Sequence, residues 1–241
     1  MINTLSPLSY TRPEFNHAPI DPPASVRHKR GVALTKNLWR QGSTITISFS
    51  DITDKGKDYL KKNINLWQPH VNLKFNFVET GGDIRISGKK DNSGNWSKIG
   101  TDAKDVHSSD PTMHINTFDI TIGALNHAIR HEFGHALGLM HEHQHPNHPI
   151  KWNKEAVYEV IGKLGEDKPS IDGNILDTID KKSVITSDYD SKSVMHYEVT
   201  PQLTTDGYEV GFNEDISEGD KQMIARIYPP GFIQSRRIRI S

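Results

Sequence analysis

The stretch His131-Glu132-Phe133-Gly134-His135-Ala136-Leu137-Gly138-Leu139-Met140-His141 limits what this chain can fold into more than any other. His131 and His135 stand four residues apart in a segment, about 122–139, that reads as a helix. At 3.6 residues per turn such a pair lies on one face, offset by roughly 40°. Both imidazoles can then reach one zinc ion. Glu132 is placed to hold a metal-bound water without ligating the metal itself. Gly138 follows three residues after His135. Glycine ends a helix readily in a left-handed conformation, so the chain can reverse there and return His141 to the same metal. Three nitrogen ligands and an open fourth position are the pattern of a catalytic zinc site; a structural site would need a fourth protein ligand, for which Tyr197 alone is a poor candidate. An ordinary buried amphipathic helix with a few histidines explains neither Gly138 nor His141.

This stretch resembles the long zinc motif of the metzincin metallopeptidases. Ser193-Val194-Met195-His196-Tyr197 resembles their methionine turn, with Met195 as a soft apolar residue packed beneath the zinc histidines. Within the metzincins the chain is most similar to the astacins, which continue the motif as His141-Glu142-His143 does and write the turn Ser-x-Met-His-Tyr. Three further stretches look astacin-like: Leu38-Trp39 with residues 45–49, Asp83-Ile84-Arg85-Ile86 with Trp96-Ser97-Lys98-Ile99-Gly100, and residues 176–228 with Ser217, Asp220 and Tyr228 near their end. The resemblance covers about residues 31–230.

It implies an α+β fold. A twisted mixed sheet and two long helices would form an upper lobe, and a mostly irregular lower lobe would end in a C-terminal helix. It also implies a zinc-dependent endopeptidase acting on protein or peptide substrates. One catalytic Zn2+ would be held by His131, His135 and His141, with Glu132 as general base. Tyr197 would ligate zinc at rest, then swing aside and donate a hydrogen bond to the tetrahedral intermediate. A metzincin of another subfamily would share the chemistry without the tyrosine. A catalytically silent zinc-binding module or toxin component is the alternative of a different class, and the complete set of catalytic residues speaks against it.

One departure is plain: astacin domains usually carry disulfides, and this chain has no cysteine. Its core must hold without cross-links, and cysteine usage says nothing of its compartment. At 241 residues it is long enough to do so. A formal net charge of −1 gives no argument for nucleic acid or an anionic membrane as partner. No apolar run approaches the roughly 18–20 residues that span a bilayer. Peptidases of this kind commonly act outside the cell, so the expectation is a secreted or exported monomer without a recognisable signal peptide.

Residues 1–30 hold five prolines and few periodic apolar positions, and read as an extended arm. The arm ends in Arg27-His28-Lys29-Arg30, either a solvated charge run or a processing site. By resemblance, an astacin pro-segment is cut away and the new N-terminus, here close to Gly31, pairs with the glutamate after the third histidine, Glu142. Asp21 would then be the pro-segment carboxylate at the zinc. The catalytic domain would span 31–231, and 232–241 would be a basic tail. Strands are expected over 44–49, 73–78, 84–87 and 112–116, the last as the sheet edge above the cleft. A helix N-capped by Asp54 should run to Trp67, where Pro69 stops it. Residues 89–110 read as a long polar loop. His143, His145 and His148 sit in what is either a polar loop, the simpler reading, or a second metal site. Helices are expected over 154–164 and from the Ser217 cap to Tyr228, with a loop-rich stretch over 166–190.

Overall fold

The computed structural model describes residues 2–4, 31–90, 94–118 and 120–230. Asp21, the basic cluster before Gly31 and the C-terminal tail lie outside the described residues.

The sheet is built around its most β-branched segment. Strand β3 (Thr44–Ser50) buries Ile45 and Ile47 completely, as period-two alternation requires. The other members, in chain order, are β1 (Ile2–Thr4), β4 (Lys74–Phe77), β5 (Ile84–Ser87), β6 (Asn95–Ser97) and β7 (Met113–His114). They lie in the order β1-β6-β7-β5-β3-β4. Strands β3, β4, β5 and β7 run parallel, while β6 runs antiparallel to both β7 and β1. A second, two-stranded antiparallel sheet pairs β2 (Val32–Leu34) with β8 (Val184–Thr186).

Two helices cover the main sheet. Helix α1 (Asp54–Ile64) is shorter than its apolar pattern suggests, and its cap is Thr53, not Asp54. Thr53 has extended backbone and its hydroxyl accepts from the Gly56 amide, whereas Asp54 is the first helical residue, where a carboxylate favours the helix dipole. A 3-10 turn at Gln68–His70 takes up Pro69. Helix α2 (Ile122–Ala136) carries the first two motif histidines. Between sheet and helices lies the principal core, with Ile45, Ile47, Leu60, Ile64, Trp67, Ile129 and Phe133 all essentially solvent-free.

The expected edge strand at 112–116 is corrected. Strand β7 covers only Met113–His114 and lies inside the sheet, between β5 and β6. The 89–110 stretch is not a uniform polar loop either: it contains β6, whose Asn95, Trp96 and Ser97 are all buried, and a 3-10 helix at Gly100–Asp105. A three-residue strand with two polar members is too short for alternation to register in the sequence.

The lower half holds α3 (Lys154–Gly162), α4 (Lys168–Ile171), a π-helical turn (Asp172–Leu176) and the final helix α5 (Glu218–Ile227). Val157, Ile171, Ile175 and Leu176 form a small core of their own. The 166–190 stretch is thus more ordered than its polar composition suggests. Ser217 caps α5 as expected, in a capping box with Asp220.

The end of α2 sets the geometry of everything after it. Gly138 has φ +99°; its amide donates to His135 O and the Leu139 amide to Gly134 O, a Schellman stop. The remaining carbonyls of the last turn, which are buried, find remote donors. Trp39 Nε1 donates to Ala136 O at 2.8 Å, and Tyr228 Oη to Leu137 O at 2.8 Å. Strand β2 then fixes the reversed chain, with Leu34 N donating to Gly138 O and Met140 N to Val32 O. Replacing Gly138 by Ala forces a left-handed non-glycine residue, about 1–2 kcal/mol, and places Cβ 2.9 Å from Leu38 Cδ2. Urea unfolding of Gly138→Ala is expected to show a stability loss of at least that size.

Candidate metal centre

His131 and His135 lie one turn apart on α2, and the reversal at Gly138 delivers His141 to meet them. All three are buried, and their ligand atoms lie within 4.8 Å of one another. The protons on two of the rings are placed by their neighbours. His131 Nδ1–H donates to Val194 O at 2.7 Å, and His135 Nδ1–H donates to Leu139 O at 2.8 Å. In each neutral ring Nε2 is therefore a bare lone pair. His131 Nε2 is buried with no hydrogen-bond partner, and His135 Nε2 stands 3.0 Å from His141 Nε2. A cluster of buried lone pairs is unfavourable unless a cation sits among them. Zinc–nitrogen bonds of about 2.0–2.1 Å in a tetrahedron would set nitrogens roughly 3.3 Å apart, which this cluster can accommodate.

Burial keeps these rings neutral, the form that binds metal. It lowers His135 to about 4 and holds His131 and His141 well below the usual histidine range, with the neighbouring histidines adding to the effect on the latter two. Glu132 is completely buried beside His131. The Tyr197 ring lies 4.3 Å from that of His141 and 6.0 Å from that of His131. Burial, then the charge of Glu132, pushes its hydroxyl well above the ordinary tyrosine value, so it stays a neutral donor.

Met195 packs beneath this cluster. A Cβ on Gly134 would overlap Met195 Sδ, which explains the glycine between the two helical histidines. The model of the Astacin peptidase family matches residues 31–229. The chain belongs to the astacin family. It is a zinc metalloendopeptidase of that family. Two structures of myroilysin are each 35% identical to it. One covers 83% of this chain and 100% of its own length at a TM-score of 0.80; the other covers 81% and 87% at 0.61. The hatching enzyme zinc-protease HCE-1 of the medaka Oryzias latipes shares the fold at 18% identity, covering 80% of this chain and 95% of its own, with a TM-score of 0.56. The curated proteins contain no match.

The methionine turn of this astacin is held from below by α5. Asp220 Oδ1 accepts from Ser193 Oγ at 2.6 Å, and Oδ2 accepts from Val194 N at 2.8 Å and Ser217 N at 2.9 Å. Val194 O is in turn the acceptor for His131. A helix cap thus orients a histidine of the metal cluster through one peptide unit. The sequence marks Ser217 as a cap but gives no sign that Asp220 braces the methionine turn, which needs residues 26 and 27 positions apart to meet. Glu142 Oε1 accepts from Asp190 N at 2.7 Å, and Gly31 N donates to Asp188 O at 3.2 Å on the same segment.

The histidines after the motif correct another expectation. His143 and His145 are fully buried rather than in a solvated loop, each tied to a carbonyl, of Asn174 and Ser187 respectively. Among the described residues, His131, His135 and His141 are the group that can hold a metal ion; the later histidines do not form a second one.

Burial also lowers His143 to about 3 and His196 to about 4. With His135, three histidines bind fewer protons when folded than unfolded. Their contribution is full above about 6.5 and is lost as pH falls through these lowered values. Asp220, raised by burial to about 6 from 3.8, works the opposite way, as one group against three. Chelator-treated protein is therefore expected to unfold at lower urea at pH 5 than at pH 7.5.

Proposed function

We propose that this protein hydrolyses peptide bonds with one zinc ion held by His131, His135 and His141, with Glu132 as general base and Tyr197 as a hydrogen-bond donor. The observation that carries the reading is the convergence of histidine Nε2 atoms beside a buried carboxylate and a half-buried phenol. Zinc at such a site supplies Lewis acidity, enough to lower the pKa of a bound water from about 15.7 to about 7. Glu132 takes the proton of the attacking water and hands it to the leaving amine. Tyr197, a neutral phenol, donates to the oxygen on which charge develops. Gly138 and Met195 support the site, and the substrate is a protein or peptide.

The substrate would lie along β6, which packs on α2 and can extend the sheet by backbone pairing. In the full chain that edge of β6 is taken by β1, residues 2–4. This supports reading residues 1–30 as a pro-segment, 31–231 as the peptidase domain and 232–241 as a tail. Cleavage near Gly31 would free an amine on the segment next to Glu142. The active form is then a monomer that is secreted or exported.

Glu132→Ala is expected to abolish casein hydrolysis while zinc stays bound at one ion per chain, and His135→Ala to lose both. Appreciable activity in Glu132→Ala would overturn the base assignment; zinc-bound wild type that stays inactive after cleavage near Gly31 would favour a silent binding module. N-terminal sequencing of active protein should begin near Gly31, and an intact Met1 or Ile2 would end the processing proposal.

A further inference from the structure

His143 has no part in the chemistry above, yet it is completely buried within the site. Its ring is stacked on that of Tyr197, with centroids 4.3 Å apart and planes 23° apart. The Tyr197 ring also meets His141, at 4.3 Å and 50°. The three rings form a triangle, because His143 also stacks on His141, with centroids 5.1 Å apart and planes 27° apart, while His143 is not one of the three histidines whose ligand atoms converge.

The plane of His143 is fixed from outside. Its Nε2–H donates to Asn174 O at 3.0 Å. That carbonyl lies in the π-helical turn Asp172–Leu176, a rare geometry that redirects backbone groups. Gln144 grips the same turn, its Nε2 donating to Gly173 O at 2.8 Å and to Asp177 O at 3.1 Å. On the other side of the His143 ring, Nδ1 is buried with no hydrogen-bond partner. A phenyl ring would fill this space without leaving a nitrogen bare. Among side chains of this shape, imidazole both stacks on a tyrosine and ties itself to a carbonyl.

We propose that His143, anchored to Asn174, is a positioning residue that sets the plane of Tyr197 and hence the line along which its hydroxyl reaches the reacting carbonyl. The inference rests on the donor role given to Tyr197. Loss of the His143 stacking would cost turnover, not metal or substrate affinity.

The test is a double-mutant cycle on a fluorogenic peptide, with zinc content measured for each form. Tyr197→Phe is expected to lower kcat about 100-fold or more. His143→Leu should lower kcat at least about tenfold, leave KM within about twofold and keep one zinc per chain. In the Tyr197→Phe background, His143→Leu should change kcat by less than about twofold, because the group it positions is gone. Multiplying losses, or loss of zinc in His143→Leu, overturns the proposal. Should His143→Leu fail to fold, the cycle is run with His143→Phe, which keeps a ring in place. An effect that persists without the tyrosine hydroxyl, or no effect at all, then overturns it. Unchanged kcat in Tyr197→Phe alone defeats the tyrosine reading itself, which separates the two failures.

Discussion

The architecture depends on how one helix stops. Helix α2 ends inside the protein, where its last carbonyls have no access to water and must still be satisfied. The Schellman turn at Gly138 deals with Gly134 and His135, the Trp39 indole with Ala136, and the Tyr228 hydroxyl with Leu137. Those donors come from opposite ends of the described chain, since Trp39 N also donates to Tyr228 Oη across 189 positions. The stop is therefore also the point at which the chain's two ends are joined. Were the helix to run one residue further, His141 would not meet His131 and His135.

A second layer surrounds the histidines and orients them. His131 answers to Val194, which answers to Asp220 in the cap of α5. His135 answers to Leu139, immediately beyond the stop. Each of these two rings is held by a backbone carbonyl rather than a mobile side chain, so their orientation is built into the main-chain path. Such outer partners commonly matter to metal affinity by one or two orders of magnitude. The ring of Tyr197 packs against the faces of His141 and His143.

The centre was legible because its signal is local. A four-residue interval, a glycine and a third histidine survive any uncertainty about the rest of the chain, and Ser217 announces its helix just as locally. What was illegible depends on distant partners. Strand β2 exists because β8, about 150 residues away, pairs with it; β6 and β7 are too short to show a period. Thr53 and Asp54 are both acceptable caps by composition, and only backbone conformation decides between them. His143 and His145 look like loop residues because histidine is polar on average, whereas here each carries one hydrogen bond to a carbonyl and a buried ring. The link from Asp220 to His131 passes through a peptide group, and peptide groups have no letter in a sequence.

Since the joining of Trp39, Ala136, Leu137 and Tyr228 is made wholly of N–H and O–H donors, it is indifferent to thiols and oxidants. The fold can close before or after any export step, in reducing or oxidising surroundings alike, and no partner enzyme has to pair sulfurs for it. The cost falls instead on sequence order: the brace is complete only when residue 228 has been synthesised, so the active-site helix acquires its final anchor well after its own residues have been made.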